Sequence, residues 1–242
     1  MKVILPVAGY ATRLYPLTEN FPKALLKIGN KPMLEHILDK LNPIKEIDEI
    51  FVVTNNKFYT QFSKWANEYK SEKIITVVND GTMSNEDRLG AVGDVNFAID
   101  KGNIDGDVIV IAGDNLFGLD MQKFVNFSKE KDSSVFAAYD LKNPSLLAKK
   151  FGTVEVDDNC KVIGFEEKPE HPKTALAATM IYLILQRDLY QINNCLQEKN
   201  PDNWGEFARY LIEKSGMHCL PFDEYWYDIG GLEQYKEVQD KF

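Results

Sequence analysis

Apolar residues in the first half of this chain fall into short continuous runs separated by helical stripes. The runs occupy positions 3–7, 50–54, 74–78 and 108–112; they are rich in β-branched residues, bounded by turn formers, and read as buried strands. Between the first two, 32–41 puts Met33, Leu34, Ile37, Leu38 and Leu41 on one helical face. A second helix is predicted over 58–69, with Phe58, Phe62, Trp65 and Tyr69 roughly in register, and a third over 91–100, just after Gly90. Fully apolar strands alternating with helices predict a parallel sheet covered on both faces.

Beyond Asp114 the pattern changes. Strands are predicted over 134–140, 153–156, 162–166 and 180–185, with short turns that include 157–159, so antiparallel pairing is expected there. Two late helices, near 188–197 and 204–214, precede a loop over 221–231 and a short terminal helix. No repeat, low-complexity tract or linker divides the 242 residues. The expected fold class is therefore α/β, one domain over 1–242 on a Rossmann-like, mostly parallel sheet flanked by helices, with a mixed, antiparallel subregion.

Charge narrows the partners. A net charge of −9 gives no broad attraction for nucleic acid or anionic membrane, so neither is expected as a partner. Any phosphate must be held by a few local cations and by backbone N–H groups. The cysteines, Cys160, Cys195 and Cys219, form no Cys-x-x-Cys, which predicts reduced thiols and a cytoplasmic setting. His36, His171 and His218 show no metal-ligand spacing, and the apolar start over 3–8 is too short to span a membrane.

Sheets of this type bind ligands beyond the carboxyl ends of their strands, so the residues just after each strand matter most. After the first strand comes Gly9-Tyr10-Ala11-Thr12-Arg13-Leu14. Small residues at Ala8, Gly9 and Ala11 let backbone approach an anion, successive N–H groups can form a nest, and Arg13 supplies a permanent forked cation. Ala11 and Leu14 occupy the second and third glycine places of a dinucleotide fingerprint, and no Gly-Lys-Ser/Thr follows, so neither that motif nor a P-loop is present. Ten residues on, Pro22 fixes Lys23 in a loop from which it can reach an α-phosphate. Taken alone, the same residues also describe an ordinary glycine turn with two surface cations. The run ending in Gly113-Asp114 and the late Trp226-Tyr227-Asp228-Ile229-Gly230-Gly231 each place a carboxylate after apolar or aromatic residues. Such a position suits a hard cation such as magnesium, though it equally suits a turn. Phe165-Glu166-Glu167-Lys168-Pro169 offers an acid for hydroxyls and a cation for phosphate, or a charged surface turn.

The combination is more specific than its parts. The stretch 5–18, followed by Pro22-Lys23-Ala24-Leu25-Leu26 and Lys31-Pro32-Met33-Leu34, closely resembles the sugar-1-phosphate nucleotidyltransferase family, which includes thymidylyl- and uridylyltransferases acting on glucose 1-phosphate. The resemblance implies that residues 1–115, roughly, bind a nucleoside triphosphate and that about 116–242 bind the acceptor. It implies triphosphate binding by Ala8, Gly9, Tyr10, Ala11, Thr12 and Arg13, with Arg13, Lys23 and Lys168 catalytic. It implies Mg2+ on Asp114 and Asp228, and acceptor contacts from Gly152, Glu167, Lys168 and Thr179. Asn79, Arg88 and Gly90 lie where the family reads the base, and 82–87 reads either as a mobile loop over the site or as a plain surface loop. Ala11, Met180 and Gly231 depart from the family's usual Gly, Gly and Thr. The resemblance stops near Tyr235, where many relatives add a left-handed β-helix, so an appended acyltransferase activity is not expected.

The reaction implied is direct in-line displacement: an acceptor phosphate oxygen attacks the α-phosphorus and pyrophosphate leaves. Two other readings compete with a sugar 1-phosphate acceptor. One is a CTP-dependent cytidylyltransferase acting on a phospho-alcohol such as phosphocholine. The other is a catalytically silent nucleotide-sugar-binding regulatory subunit. A homo-oligomer is compatible with the resemblance, but no residue specifies its interface.

Overall fold

The structure is a computed structural model that describes residues 1–199 and 203–242. The first half runs β1 (Lys2–Pro6), β2 (Lys27–Ile28), β3 (Lys31–Pro32), α1 (Met33–Leu41), β4 (Glu49–Thr54), α2 (Tyr59–Glu68), β5 (Ile74–Asn79), α3 (Gly90–Gly102) and β6 (Val108–Ile111). The second runs β7 (Asn115–Phe117), α4 (Met121–Lys131), β8 (Val135–Asp140), β9 (Thr153–Val156), β10 (Val162–Glu166), β11 (Leu176–Ile184), α5 (Tyr190–Lys199), α6 (Trp204–Ser215), β12 (His218–Phe222), β13 (Trp226–Asp228) and α7 (Leu232–Gln239).

β5, β4, β1 and β6 pair in parallel, in that order. The sheet continues through β11, which runs antiparallel to β6, with Ile181 opposite Ile111 and Ile184 opposite Val108. β8 pairs antiparallel with the far side of β11, and β12 lies parallel to β8. β9 and β10 form an antiparallel extension beside the start of β11. The α/β class and the mixed second half are as the sequence predicts.

Strand alternation assigns the two faces. Val3, Leu5, Ile50, Val52, Ile109 and Ile111 pack with apolar residues of α1, α2 and α4. Their neighbours Ile4, Phe51, Val53, Val108 and Val110 pack with α3, α5 and α6. Because successive strand residues point to opposite faces, a strand sandwiched by helices must be apolar throughout. Local signals set the helix ends: the Asp120 carboxylate accepts from the N–H groups of Gln122 and Lys123 to start α4, and Asn203 caps α6 through Glu206 N–H. No helix among the described residues is long and apolar enough to cross a membrane.

Three predictions of loop or of no element are corrected. The loop expected over 221–231 contains the end of β12 and all of β13, β7 follows directly on Asp114, and residues 27–32 form a small hairpin in which Lys27 opposes Pro32. Strands of two or three residues carry no readable period.

Candidate active site

The site forms where β1 and β6, adjacent and parallel, end. The turn after β1 carries Gly9, exposed, then Ala11 at φ 48, ψ 43 and Arg13 in a short helical turn. Alanine disfavours this left-handed conformation, and two bonds hold it: the buried Thr18 hydroxyl donates to the Ala11 carbonyl at 2.7 Å and Leu14 N–H donates to it at 3.0 Å. The left-handed turn at Ala11 is thus kept by local bonds within residues 11–18.

Beside this turn, Gly113 closes the end of β6. A Cβ there would collide with Val7 Cγ1, so only glycine lets the two strand ends lie this close. Asp114 follows. Lys23 Nζ donates to Asp114 Oδ2 at 2.7 Å, with 15% of the lysine side chain and 32% of the aspartate's exposed. Asp228 reaches the same place through the β7–β13 ribbon: it pairs with Asn115, and Ile229 N–H donates to the Asp114 carbonyl at 3.1 Å. Trp226 Nε1 locks the ribbon by donating to Asn115 Oδ1 at 2.7 Å. The two carboxylates, 114 positions apart along the chain, are brought together by a three-residue antiparallel pairing that sets Asp228 opposite Asn115, the neighbour of Asp114. Burial pushes the Asp228 carboxyl up to about 6, the Asp114 charge adds to this, and Lys23, Arg13 and Lys168 oppose it.

Two compartments flank this point. One, about 340 Å³, is lined by Ala8, Gly9, Ala11, Arg13, Lys23, Arg88, Gly90, Asp94, Gly113 and Asp114, among others. The other, about 540 Å³, is lined by Phe151, Gly152, Phe165, Glu167, Lys168, Thr179, Tyr182, Trp204, Gly205, Trp226 and Asp228, among others. Arg13, Ala91, Ala112, Asp114 and Met180 line both, so the compartments share a wall and the charged groups stand at their junction. Met180, where the family has glycine, is part of that wall.

In the larger compartment the Glu167 carboxylate sits between two glycines: a Cβ on Gly205 would collide with it, and one on Gly152 would lie 3.0 Å from it. Lys168 adopts φ 46 and keeps its Nζ 3.8 Å from Glu167 Oε1. Thr179 lines the compartment, but its hydroxyl is committed to the Ala137 carbonyl at 2.8 Å.

Some predicted residues fall outside the two linings. Thr12 is exposed, and Tyr10 is buried with its ring tilted against Phe58. Asn79 spends its amide on an Asx turn, accepting from Gly81 N–H at 2.9 Å and donating to Asn56 Oδ1 at 2.8 Å. The 82–87 loop is tied down by Asp87, which accepts N–H bonds from Met83 and Ser84. The structure adds residues that sequence reasoning missed, Asp94, Trp204 and Gly205, and places Trp226 of the late motif in the larger lining. Asp94 carries a signal in retrospect, because it interrupts the buried stripe of Val92, Val95 and Ala98 on α3.

A family model described as nucleotidyl transferase matches residues 2–242. The chain belongs to that family. It is 28% identical over 248 residues to the bifunctional protein GlmU of Methanocaldococcus jannaschii, an alignment covering 100% of this chain and 55% of that protein. It is 33% identical over 134 residues to the glucose-1-phosphate adenylyltransferase of Clostridioides difficile, covering 52% of this chain and 34% of the relative. The chain thus spans about half the length, or less, of these curated relatives. Among solved structures, a UDP-glucose pyrophosphorylase complexed with UDP-glucose superposes with a TM-score of 0.81 at 18% identity, covering 99% of this chain and 97% of that one. That likeness is one of fold.

Proposed function

We propose that this member of the family transfers a nucleoside monophosphoryl group from a nucleoside triphosphate to a sugar 1-phosphate, giving a nucleoside diphosphate sugar and pyrophosphate. The observation that carries the reading is the junction itself: Arg13 and Asp114 border both compartments, and Lys23 is bonded to Asp114 there. Transfer between two phosphorylated substrates needs such a meeting point, with cations on each side of the reacting phosphorus.

In this reading residues 1–115, roughly, hold the triphosphate and 116–242 the acceptor. The turn from Ala8 to Arg13 cradles the triphosphate, and Asn79, Arg88 and Gly90 lie on the side where the base is held. Arg13 draws charge from the departing pyrophosphate and Lys23 neutralises the α-phosphoryl oxygens as the fifth bond forms. Lys168 anchors the acceptor phosphate so that its oxygen attacks in line, and Glu167 accepts hydrogen bonds from sugar hydroxyls. A phosphate monoester is already nucleophilic, so no general base is required. Asp114 and Asp228 would hold a Mg2+ ion, because two partly buried carboxylates acting on each other suit a hard divalent cation. Bound there, the ion would supply electrostatic stabilisation of the charge developing on the phosphoryl oxygens. Three unbridged cysteines agree with a cytoplasmic setting.

A second acceptor class has its own support. Phe151, Phe165, Tyr182, Trp204 and Trp226 line the acceptor compartment together with Glu167, a composition that also suits a quaternary ammonium group on a phospho-alcohol. Pyrophosphate release measured across four nucleoside triphosphates and a panel of sugar 1-phosphates and phosphocholine decides between them. Release with a sugar 1-phosphate supports the proposal, and release with phosphocholine alone replaces it. Nucleotide-sugar binding without any release identifies a silent regulatory subunit.

A further inference from the structure

Among the described residues, six buried side-chain polar atoms have no hydrogen-bond partner, and four of these belong to Tyr10, Thr54, Asp80 and Asp94. All four residues lie at the carboxyl end of the parallel sheet or on α3 beside it: Tyr10 follows β1, Thr54 ends β4 and Asp80 follows β5, donating its N–H to the Thr54 carbonyl at 2.9 Å. Unpartnered buried polar atoms are uncommon in folded proteins, so four together call for a physical explanation.

The two acids explain each other. Asp80 is 9% exposed and Asp94 6%, and their carboxyl groups lie within hydrogen-bond reach. Two carboxylates can bond only through a proton. Asp80 Oδ1 already accepts from Thr82 N–H at 2.7 Å and Thr82 Oγ1 at 2.8 Å. The proton therefore belongs to Asp94, whose pKa is pushed up to about 8, by burial first and by the Asp80 charge second. Asp94 is thus a neutral carboxylic acid at pH 7, with its O–H committed to Asp80 and its second oxygen left as an acceptor.

Asp94 also lines the smaller compartment, as do the cations Arg13 and Lys23. An acid in a cleft for a polyanion is of no use to the phosphates. It suits an uncharged part of the nucleotide that donates a hydrogen bond, and the nucleobase edge and the ribose hydroxyls are the two such parts. We propose that Asp94, braced by Asp80, is the residue of this chain that reads the nucleobase, accepting an N–H from its hydrogen-bonding edge. This rests on the nucleotidyltransferase reading of the same cleft.

The test measures binding, so it needs no turnover: calorimetric affinities of the whole chain for the four common nucleoside triphosphates and for inorganic tripolyphosphate. Asp94→Leu removes the acceptor at similar bulk, whereas Asp94→Asn keeps it, because the amide N–H2 donates to Asp80 as the acid O–H does. We expect Asp94→Leu to weaken the preferred triphosphate about 10-fold or more while tripolyphosphate stays within about 2-fold, and Asp94→Asn to restore the preference. Equal losses for triphosphate and tripolyphosphate, or no loss, overturn the proposal. A loss that tracks the ribose hydroxyls across 2′-deoxy analogues, and not the base, overturns it as well. If Asp94→Leu does not fold, Asp94→Asn alone decides: a preference unlike that of the parent chain counts against the claim. Failure of the wider reading looks different, since the unaltered chain would then bind no triphosphate at all.

Discussion

Lys23 and Asp114, 91 positions apart, are joined by a 2.7 Å ion pair at the point where the two compartments share a wall. The pair is partly buried, so solvent screens it less than a surface bridge. It also keeps the lysine ammonium beside the carboxylate that we assign to the metal.

From this position Lys23 is expected to act mainly in the transition state. Lys23→Met should lower kcat by about 10²–10³-fold with a smaller change in KM, the pattern of a lost charge-stabilising contact. Steady-state kinetics on the active substrate pair check this. A rise in KM alone would make Lys23 a binding residue only.

The carboxylate pair predicts a divalent dependence. Chelation should abolish turnover, and Asp228→Asn or Asp114→Asn should each weaken Mn2+ affinity, read by electron paramagnetic resonance, by more than about 100-fold. Unchanged metal affinity in both variants would remove the assignment.

Two small residues, one in each of the turns after β1 and β6, should respond differently to substitution. Gly113→Ala forces a methyl against Val7 and should cost about 1–3 kcal/mol in denaturant unfolding. Ala11→Gly relieves a left-handed alanine at φ 48 while adding freedom to the unfolded chain, so its effect should lie within about 1 kcal/mol of zero. A large loss in Ala11→Gly would show that the turn depends on the Ala11 methyl.

Asp94 sets a pH dependence of stability. Its carboxyl titrates near the ordinary 3.8 when unfolded and near 8 when folded. Between those values the folded state holds the extra proton, so its contribution is complete below the lower value and declines as pH rises toward the upper one. Asp94→Asn should therefore raise Tm, and more at pH 8 than at pH 5. Equal gains at both pH values would contradict this.

Much of the scaffold was legible from sequence because its strands are buried on both faces and read as continuous apolar runs. The turn after β1 and the strand ending at Asp114 announce themselves in this way. The β7–β13 ribbon does not. Each of its strands has three residues, and the bond that locks it links Trp226 to Asn115, 111 positions away. Asp228 was picked out by its motif, whereas its closeness to Asp114 is a property of that pairing. Asn79 shows another limit of sequence reading: a polar residue at a strand end takes part in a local turn that its spacing does not announce. Asp94 was passed over because an acid in a helix ordinarily marks the solvent face, and only the packed structure shows it buried. Gly205 and Trp204 enter the acceptor compartment through tertiary packing that no spacing encodes.

The most direct test of the junction follows the α-phosphorus itself. With a triphosphate labelled at that atom and a sugar 1-phosphate acceptor, the account predicts that the label appears in a nucleoside diphosphate sugar, with one pyrophosphate released per product, and that a folded Asp114→Asn/Asp228→Asn variant forms none. Label that stays in the triphosphate, or in free monophosphate, with every acceptor tried would contradict it.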